Sequence, residues 1–265
     1  MDLTEVTYFL WFIGFFVGRY FFLTFLLYHL FYVWKRSAFL RFRIQASFPP
    51  RSAILREMRA SLGSAVIFSV VGILFLHAPL TRYTRLYEDI GAYGVWYFWV
   101  SVGLCILLHD AYFYWLHRLM HLSFFYKRVH LLHHRSMNPT PWAAYAFHPF
   151  EAIFEAGIIP LLLMLIPLHR TAFYLFSAIM LWANLYGHIG FEFMSPRIAQ
   201  HPIFRWLNTG LNHNYHHRHF QGNYGLYFTF WDWLMGTLRV PDSNLGSEFD
   251  DPRGEELLGK NKLSG

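Results

Sequence analysis

The chain has 265 residues, of which 55% are hydrophobic, 21% aromatic and only 14% charged, with a net charge of +6. Soluble globular domains carry about a quarter charged residues, so this composition excludes an ordinary water-soluble domain and points to a polytopic bundle of membrane helices, not a barrel. Basic groups fall between the apolar runs with no zinc-finger or helix-turn-helix signature, which argues against nucleic acid, and the single cysteine, Cys105, excludes an internal disulfide framework or a thiolate-rich metal site.

In chain order, a short acidic stretch at 1–6 precedes an apolar block at 7–33. With no basic leader and no small-residue cleavage site, the block reads as a first transmembrane helix. Arg19 interrupts it. An arginine at that depth is costly unless it snorkels or finds an interior partner, and a structural interior role is the expectation. Residues 34–59 carry Lys35, Arg36, Arg41, Arg43, Arg51, Arg56 and Arg59 against Glu57 alone, which predicts a cytoplasmic segment by the positive-inside rule. A second apolar block at 61–78 and a third at 94–116 flank a charge-balanced exoplasmic loop at 79–93. The histidine-bearing segment 117–150 is thereby returned to the cytoplasmic side.

Two shorter apolar runs follow, 153–168 and 171–187, separated by His169 and Arg170. The first spans about 24 Å as a helix, short of the roughly 30 Å hydrocarbon core. The pair is either a tight hairpin that crosses twice or a re-entrant hairpin that dips and returns. Both bring His188 back to the side of His117, whereas a single crossing would separate the histidines. Residues 189–224 read as loop, and 225–238 as an aromatic segment lying on the bilayer surface. Residues 1–240 thus form one integral membrane domain, and 241–265 a polar tail, extended or disordered.

Fourteen of the sixteen histidines lie between 109 and 219, in three dense groups: His117-x-x-x-His121, His130-x-x-His133-His134 and His213-x-x-His216-His217. Spacings of three and four place side chains on one helical face, so each box is expected to offer two or three imidazoles to a common centre. Neutral imidazole suits iron, zinc, copper and nickel. Eight imidazoles exceed what one ion can use, so two adjacent ions are expected, with His188 as a ninth candidate. Asn184 stands one turn before His188. Asp110, before the first box, could accept the N–H of a ligand imidazole. His109 is rotated by about 80° from His117 and is a lesser candidate, as are His201 and His219. His148, followed by Pro149 and Glu151, suits a supporting or structural role. His29, His77 and His169 lie away from the boxes.

The boxes HRLMH, HLLHH and HNYHH resemble the pattern of the sterol desaturase and fatty acid hydroxylase superfamily of membrane di-iron enzymes. The flanking residues are similar too: Asp110 and Trp115, Tyr126-Lys127-Arg128, Pro139-Thr140-Pro141, His148-Pro149, Asn223-Tyr224-Gly225 and Trp231-Asp232. The resemblance covers about 105–238, and PTPWAAYAFHP and NYGLYFTFWD look closest to the sterol C5-desaturase branch. It implies an all-α membrane bundle with a cytoplasmic histidine-rich cap. It also implies two iron ions held by His117, His121, His130, His133, His134, His188, His213, His216 and His217. Some relatives carry histidine where Asn184 stands here, which leaves the second ion's ligand set open. The implied reaction is O2-dependent hydroxylation or desaturation of a membrane lipid, a sterol-like one favoured. Fatty acyl, sphingolipid, carotenoid or alkylglycerol substrates are the alternatives. Electrons would come from a separate carrier or reductase. Two other classes compete: a zinc hydrolase, with Glu151 the nearest general base but no HExxH motif, and a metal transporter, whose ligands would belong nearer mid-membrane.

Overall fold

The computed structural model describes residues 3–77, 80–199 and 201–239; the tail 241–265 lies outside them. Among the described residues the fold is almost entirely helical. Helix α1 (Leu3–Tyr28) runs into a wider, π-wound turn (His29–Trp34), and α2 (Arg51–Leu76) and α3 (Gly94–Met120) follow. Three stretches are long and apolar enough to cross a membrane: Leu3–Trp34, Arg51–Leu76 and Gly94–Met120. Their outward faces carry Trp11, Phe15, Phe22, Trp96, Trp99 and Leu107, all exposed. Each such side chain left in water would forfeit about 1.5–3 kcal/mol of burial free energy, so these faces call for lipid. The inward face of α2 is small and polar instead, with Ser61, Ala65, Ser69 and Gly72 buried one above another. Small residues of this kind let helices approach closely where no water drives them together.

The second half is a helical hairpin. Its descending limb is α4 (Pro149–Ala156) and α5 (Ile158–Leu165), and its ascending limb is α6 (Arg170–His188). The descending limb breaks at Gly157, where a Cβ would lie 2.7 Å from the Tyr112 hydroxyl and 3.0 Å from the Phe154 carbonyl. At the turn, β2 (Leu168–His169) pairs in parallel with β1 (Leu86–Tyr87) in the loop joining α2 to α3. The Arg85 amide donates to Leu163 O at 2.7 Å, the Leu168 amide to Arg85 O at 3.1 Å, and Arg170 Nη1 to Leu76 O at 2.6 Å. The hairpin therefore runs down the bundle to the loop joining α2 to α3 and returns. Between the limbs and the long helices, Phe12, Leu76, Val102, Leu162 and Phe176 form the core of that far half.

The opposite end carries the histidines. The basic segment between α1 and α2 folds over it. Arg43 donates to Tyr32 Oη at 2.8 Å and Asn138 Oδ1 at 2.9 Å, Gln45 Nε2 to Asn214 Oδ1 at 2.7 Å, and Arg56 to Arg135 O at 2.9 Å. Buried Glu57 accepts from Thr140 Oγ1 at 2.6 Å. Helix α7 (Gly210–His219) and the short α8 (Phe230–Leu234) complete this end. The aromatic segment 225–238 divides: Leu226 and Tyr227 are buried against α3, while Phe230, Trp233, Leu234 and Met235 are exposed.

Candidate metal centre

Four pieces of chain deliver the imidazoles. The last turn of α3 supplies His117, and His121 caps that helix. Two short turns, Tyr126–His130 and Leu131–His134, supply the second box. His188 is the last residue of α6. Helix α7, started by Thr209 accepting from the Asn212 amide at 3.2 Å, supplies the third box. Gly187 lets α6 and α7 close on one another: a Cβ there would sit 3.3 Å from the His213 ring.

The nine histidines expected as ligands converge, in two buried nests. One comprises His117, His121, His130, His134 and His216; the other His133, His188, His213 and His217. Within each, the candidate donor atoms lie within 4.8 Å of one another. The boxes do not each serve one centre, as helical spacing alone suggested. Neighbours on a helix point about 100° apart, so His133 and His134 part to different nests, as do His216 and His217. The two paired histidines therefore stitch the nests together, and the His134 and His217 rings lie 4.9 Å apart across the boundary.

The nitrogen geometry fits a cation. In the first nest, Nε2 of His134 lies 3.0 Å from that of His130 and 3.1 Å from that of His121, and the His117 and His130 Nε2 atoms are 3.1 Å apart. In the second, His188 Nε2 lies 3.0 Å from His213 and 3.2 Å from His217, and His213 is 3.1 Å from His217. Donors about 2.1 Å from a shared ion are about 3.0–3.4 Å apart at right-angle to tetrahedral settings. The outer nitrogens fix the tautomers. Nδ1 of His117 donates to Tyr224 O at 2.9 Å, of His188 to Asn184 O at 2.8 Å, of His216 to Gly222 O at 2.6 Å and of His130 to Glu151 Oε1 at 2.6 Å. With the proton on Nδ1, each of these Nε2 atoms presents a bare lone pair, and those of His117 and His130, 3.1 Å apart, repel unless a cation stands between them. A shared proton is opposed by burial, which pushes His130, His133, His134, His213, His216 and His217 well below the ordinary imidazole value, each further lowered by its neighbours. Buried His216 Nε2 has no protein partner.

The remaining candidates sit around the nests. Glu151 holds His130 from outside. Asp110 Oδ1 accepts from the Tyr227 and Phe228 amides at 2.9 and 3.2 Å, not from an imidazole. His109 Nδ1 meets Tyr227 Oη at 2.9 Å, outside both nests. His148 caps α4, its Nδ1 accepting from the Phe150 amide at 3.3 Å. Asn184 donates its side-chain amide to Met180 O at 3.1 Å and lines both cavities that approach the second nest. Sequence reasoning missed the loop after α7. That helix ends in Phe220 at φ 62, a strained setting for a bulky residue, whose ring packs 5.2 Å from His134. The turn carries the Gly222 and Tyr224 carbonyls onto His216 and His117. Asp232 then holds the loop, accepting from the Tyr224 amide at 2.9 Å and the Gly225 amide at 2.8 Å. The signal was present in Asn223-Tyr224-Gly225 and Trp231-Asp232, but a carbonyl acceptor leaves no residue-type signature.

Two cavities approach the second nest. One lies inside the bundle, lined by Phe16, Arg19, Phe113, Phe147, Ser177 and Asn184 among others, with a volume of about 60 Å³. The other, about 450 Å³ and more open, is lined by His188, His213, Trp182, Leu226 and Phe228.

A largely helical bundle with apolar outward faces long enough to cross a membrane and nine convergent imidazoles at one end defines a membrane histidine-box protein with a di-iron-type site. The fatty acid hydroxylase family profile matches residues 102–237, just over half of the chain, and the chain belongs to that family. It is similar to a Δ7-sterol 5(6)-desaturase of Gibberella zeae, 32% identical over 72% of this chain and 58% of the relative. It is similar also to the human lathosterol oxidase, 30% identical over 73% of this chain and 64% of the relative, and to a Δ7-sterol 5(6)-desaturase of Schizosaccharomyces pombe, 30% identical over 72% and 61%. The chain thus spans less than two thirds of the length of these curated relatives. No solved structure matches it.

Proposed function

We propose that the chain is an O2-dependent di-iron oxidoreductase that hydroxylates or desaturates a C–H bond of a membrane lipid, with a sterol-like substrate favoured. The observation that carries this reading is the pair of nests in which imidazole nitrogens converge about 3 Å apart, with the Nε2 atoms of His117 and His130 facing each other at 3.1 Å while both rings hold their protons on Nδ1. His117, His121, His130, His134 and His216 would hold one iron, and His133, His188, His213 and His217 the other. Bound there, the two irons supply the oxidising power that an unactivated C–H bond demands and that no side chain possesses. The sterol preference rests on the names of the relatives and on the apolar lining of both cavities.

The chain's own contribution is placement and exclusion. Asn184 and Phe147 close the inner cavity toward the second nest, the Phe147 ring lying tilted 4.9 Å from His133. The apolar walls hold a lipid carbon near the nest and keep water away. Carbonyls and Glu151 hold the proton at Nδ1 of His117, His130, His188 and His216, so the ligand nitrogens stay bare. Glu151 is thereby committed to His130, and no other carboxylate stands among the nest donors of the described residues, which disfavours the hydrolase reading. The basic segment 34–59 packs on the nest end, so we place that end on the cytoplasmic side by the positive-inside rule. There a separate electron-transfer protein would reach it.

The test is turnover in a sterol-free host supplied with candidate lipids under ¹⁸O2. The expected product forms only with O2 and reductant, as a labelled alcohol or an unlabelled alkene, from protein carrying about two irons per chain. Full turnover without O2 overturns the reading.

A further inference from the structure

Arg19 is the one cation in the wall of the inner cavity. It sits in the middle of α1, within a stretch long and apolar enough to cross a membrane. Its Nη2 donates to Ser177 Oγ at 3.1 Å, and Phe16 lies 4.8 Å from the guanidinium carbon. Its Nε is buried and has no partner. Among the described residues no carboxylate pairs with it, although Glu155 lines the same cavity. A guanidinium inside a membrane bundle is costly without an acceptor, and the packing here leaves donors unused. The rest of the wall is dominated by rings and aliphatic chains such as Phe68, Phe113, Phe173 and Met180. On α6 the lining residues Phe173, Phe176, Ser177, Met180 and Asn184 follow one helical face upward to the turn below His188. The cavity is therefore a track with a polar group at its lower part and a metal nest above.

We propose that Arg19, with Ser177, is the anchor for the polar oxygen of the lipid substrate, either a hydroxyl or a carboxylate, at the end of a long apolar body. The proposal rests on the lipid-oxidising reading above and adds which end of the lipid enters first. Ser177 lies eleven residues before His188 on α6, about 16 Å along the helix. The anchored oxygen and the oxidised carbon are therefore separated by most of the lipid's length, which a fatty acyl chain or a sterol oxidised on its side chain satisfies and a 3-hydroxysterol oxidised at ring carbons 5 and 6 does not. With about 60 Å³ free, the cavity admits such a body only as its phenyl side chains rotate aside, so loading is coupled to ring reorientation.

The test is equilibrium binding to the full chain in lipid nanodiscs under argon, so that nothing turns over. The probes are a 3β-hydroxysterol, its 3-deoxy counterpart, a C18 fatty acid and the matching alkane. A hydrogen bond to a charged donor in an apolar site is worth about tenfold or more in affinity. Wild type is expected to bind the oxygen-bearing member of at least one pair about tenfold more tightly. Arg19→Gln is expected to erase that preference while leaving the affinity for the apolar member unchanged; Arg19→Lys restores part of it, and Ser177→Ala weakens it. No preference in wild type overturns the proposal. So does a preference that survives in Arg19→Gln, or one that Glu155→Gln erases instead. Product mapping supplies the second arm: oxidation beside the anchored oxygen overturns the assigned direction. Because binding is read without turnover, absence of O2 chemistry would refute the proposed function and leave the anchor standing.

Discussion

Glu151 touches no donor atom inside a nest, yet it determines what His130 offers to one. A carboxylate that accepts Nδ1–H at 2.6 Å keeps the proton outward, the ring oriented and Nε2 electron-rich. Partners of this kind typically contribute 10–100-fold to metal affinity. Glu151→Gln retains shape and loses the charge, so iron retained after dialysis against an Fe(II) chelator should fall by about that factor. His148 gives the matching control, because it lies three residues away and its side chain caps α4. In His148→Ser, which preserves the cap, iron retention should equal wild type. Equal retention in both variants would mean that the nests do not depend on the Glu151 contact. At the same scale, Asn184 acts on the second nest through its backbone, whose carbonyl takes the Nδ1 proton of His188, while its side-chain amide donates to Met180 O.

At the scale of elements, the loop between α7 and α8 holds the first nest from below. Asp232 fixes the Tyr224 and Gly225 amides, and Asp110 fixes those of Tyr227 and Phe228. That loop in turn supplies the carbonyls for His117 and His216, both members of the first nest, whereas the second nest takes no such contact from it. Asp232→Ala should therefore discharge the nests unequally. Metal analysis is expected to find roughly half the wild-type iron, with limited proteolysis cutting within 220–229; full iron content with an intact loop would contradict the coupling. The histidine boxes could be read from the sequence because three- and four-residue spacing is a property of any helix, and the shared side of His188 and His117 followed from parity. Two features were not legible. The depth of the hairpin depends on Leu168 and His169 pairing with Leu86 and Tyr87, a contact between segments some eighty residues apart with no pattern of its own. The sorting of His133 from His134 depends on where neighbouring elements stand, since spacing alone treats both as members of one box.

For the whole molecule, nine neutral imidazoles, eight of them buried and His121 half-buried, make one end of the bundle a proton-sensitive structure. Burial first, and neighbouring imidazoles second, hold His121, His130, His133, His134, His213 and His217 below their ordinary value of 6.5; His216 is held down likewise, chiefly by burial. An unfolded chain takes up protons at these groups as pH falls through 6.5, while the folded chain does not. The unfolded state then binds more protons, so stability rises with pH in this window and is lost as pH drops. Each such histidine contributes a slope of about 1.4 kcal/mol per pH unit, and seven acting together make the loss steep. A bound metal ion works in the same direction, because it too requires the deprotonated nitrogen, and it adds stability by binding only the folded state. Thermal melting of the purified protein in detergent should therefore fall sharply between pH 7 and pH 5. Chelation should lower the melting temperature throughout and move the acid transition to higher pH. A melting temperature unchanged from pH 7.5 to pH 5, with or without chelator, would mean that the nests carry no share of the fold's stability.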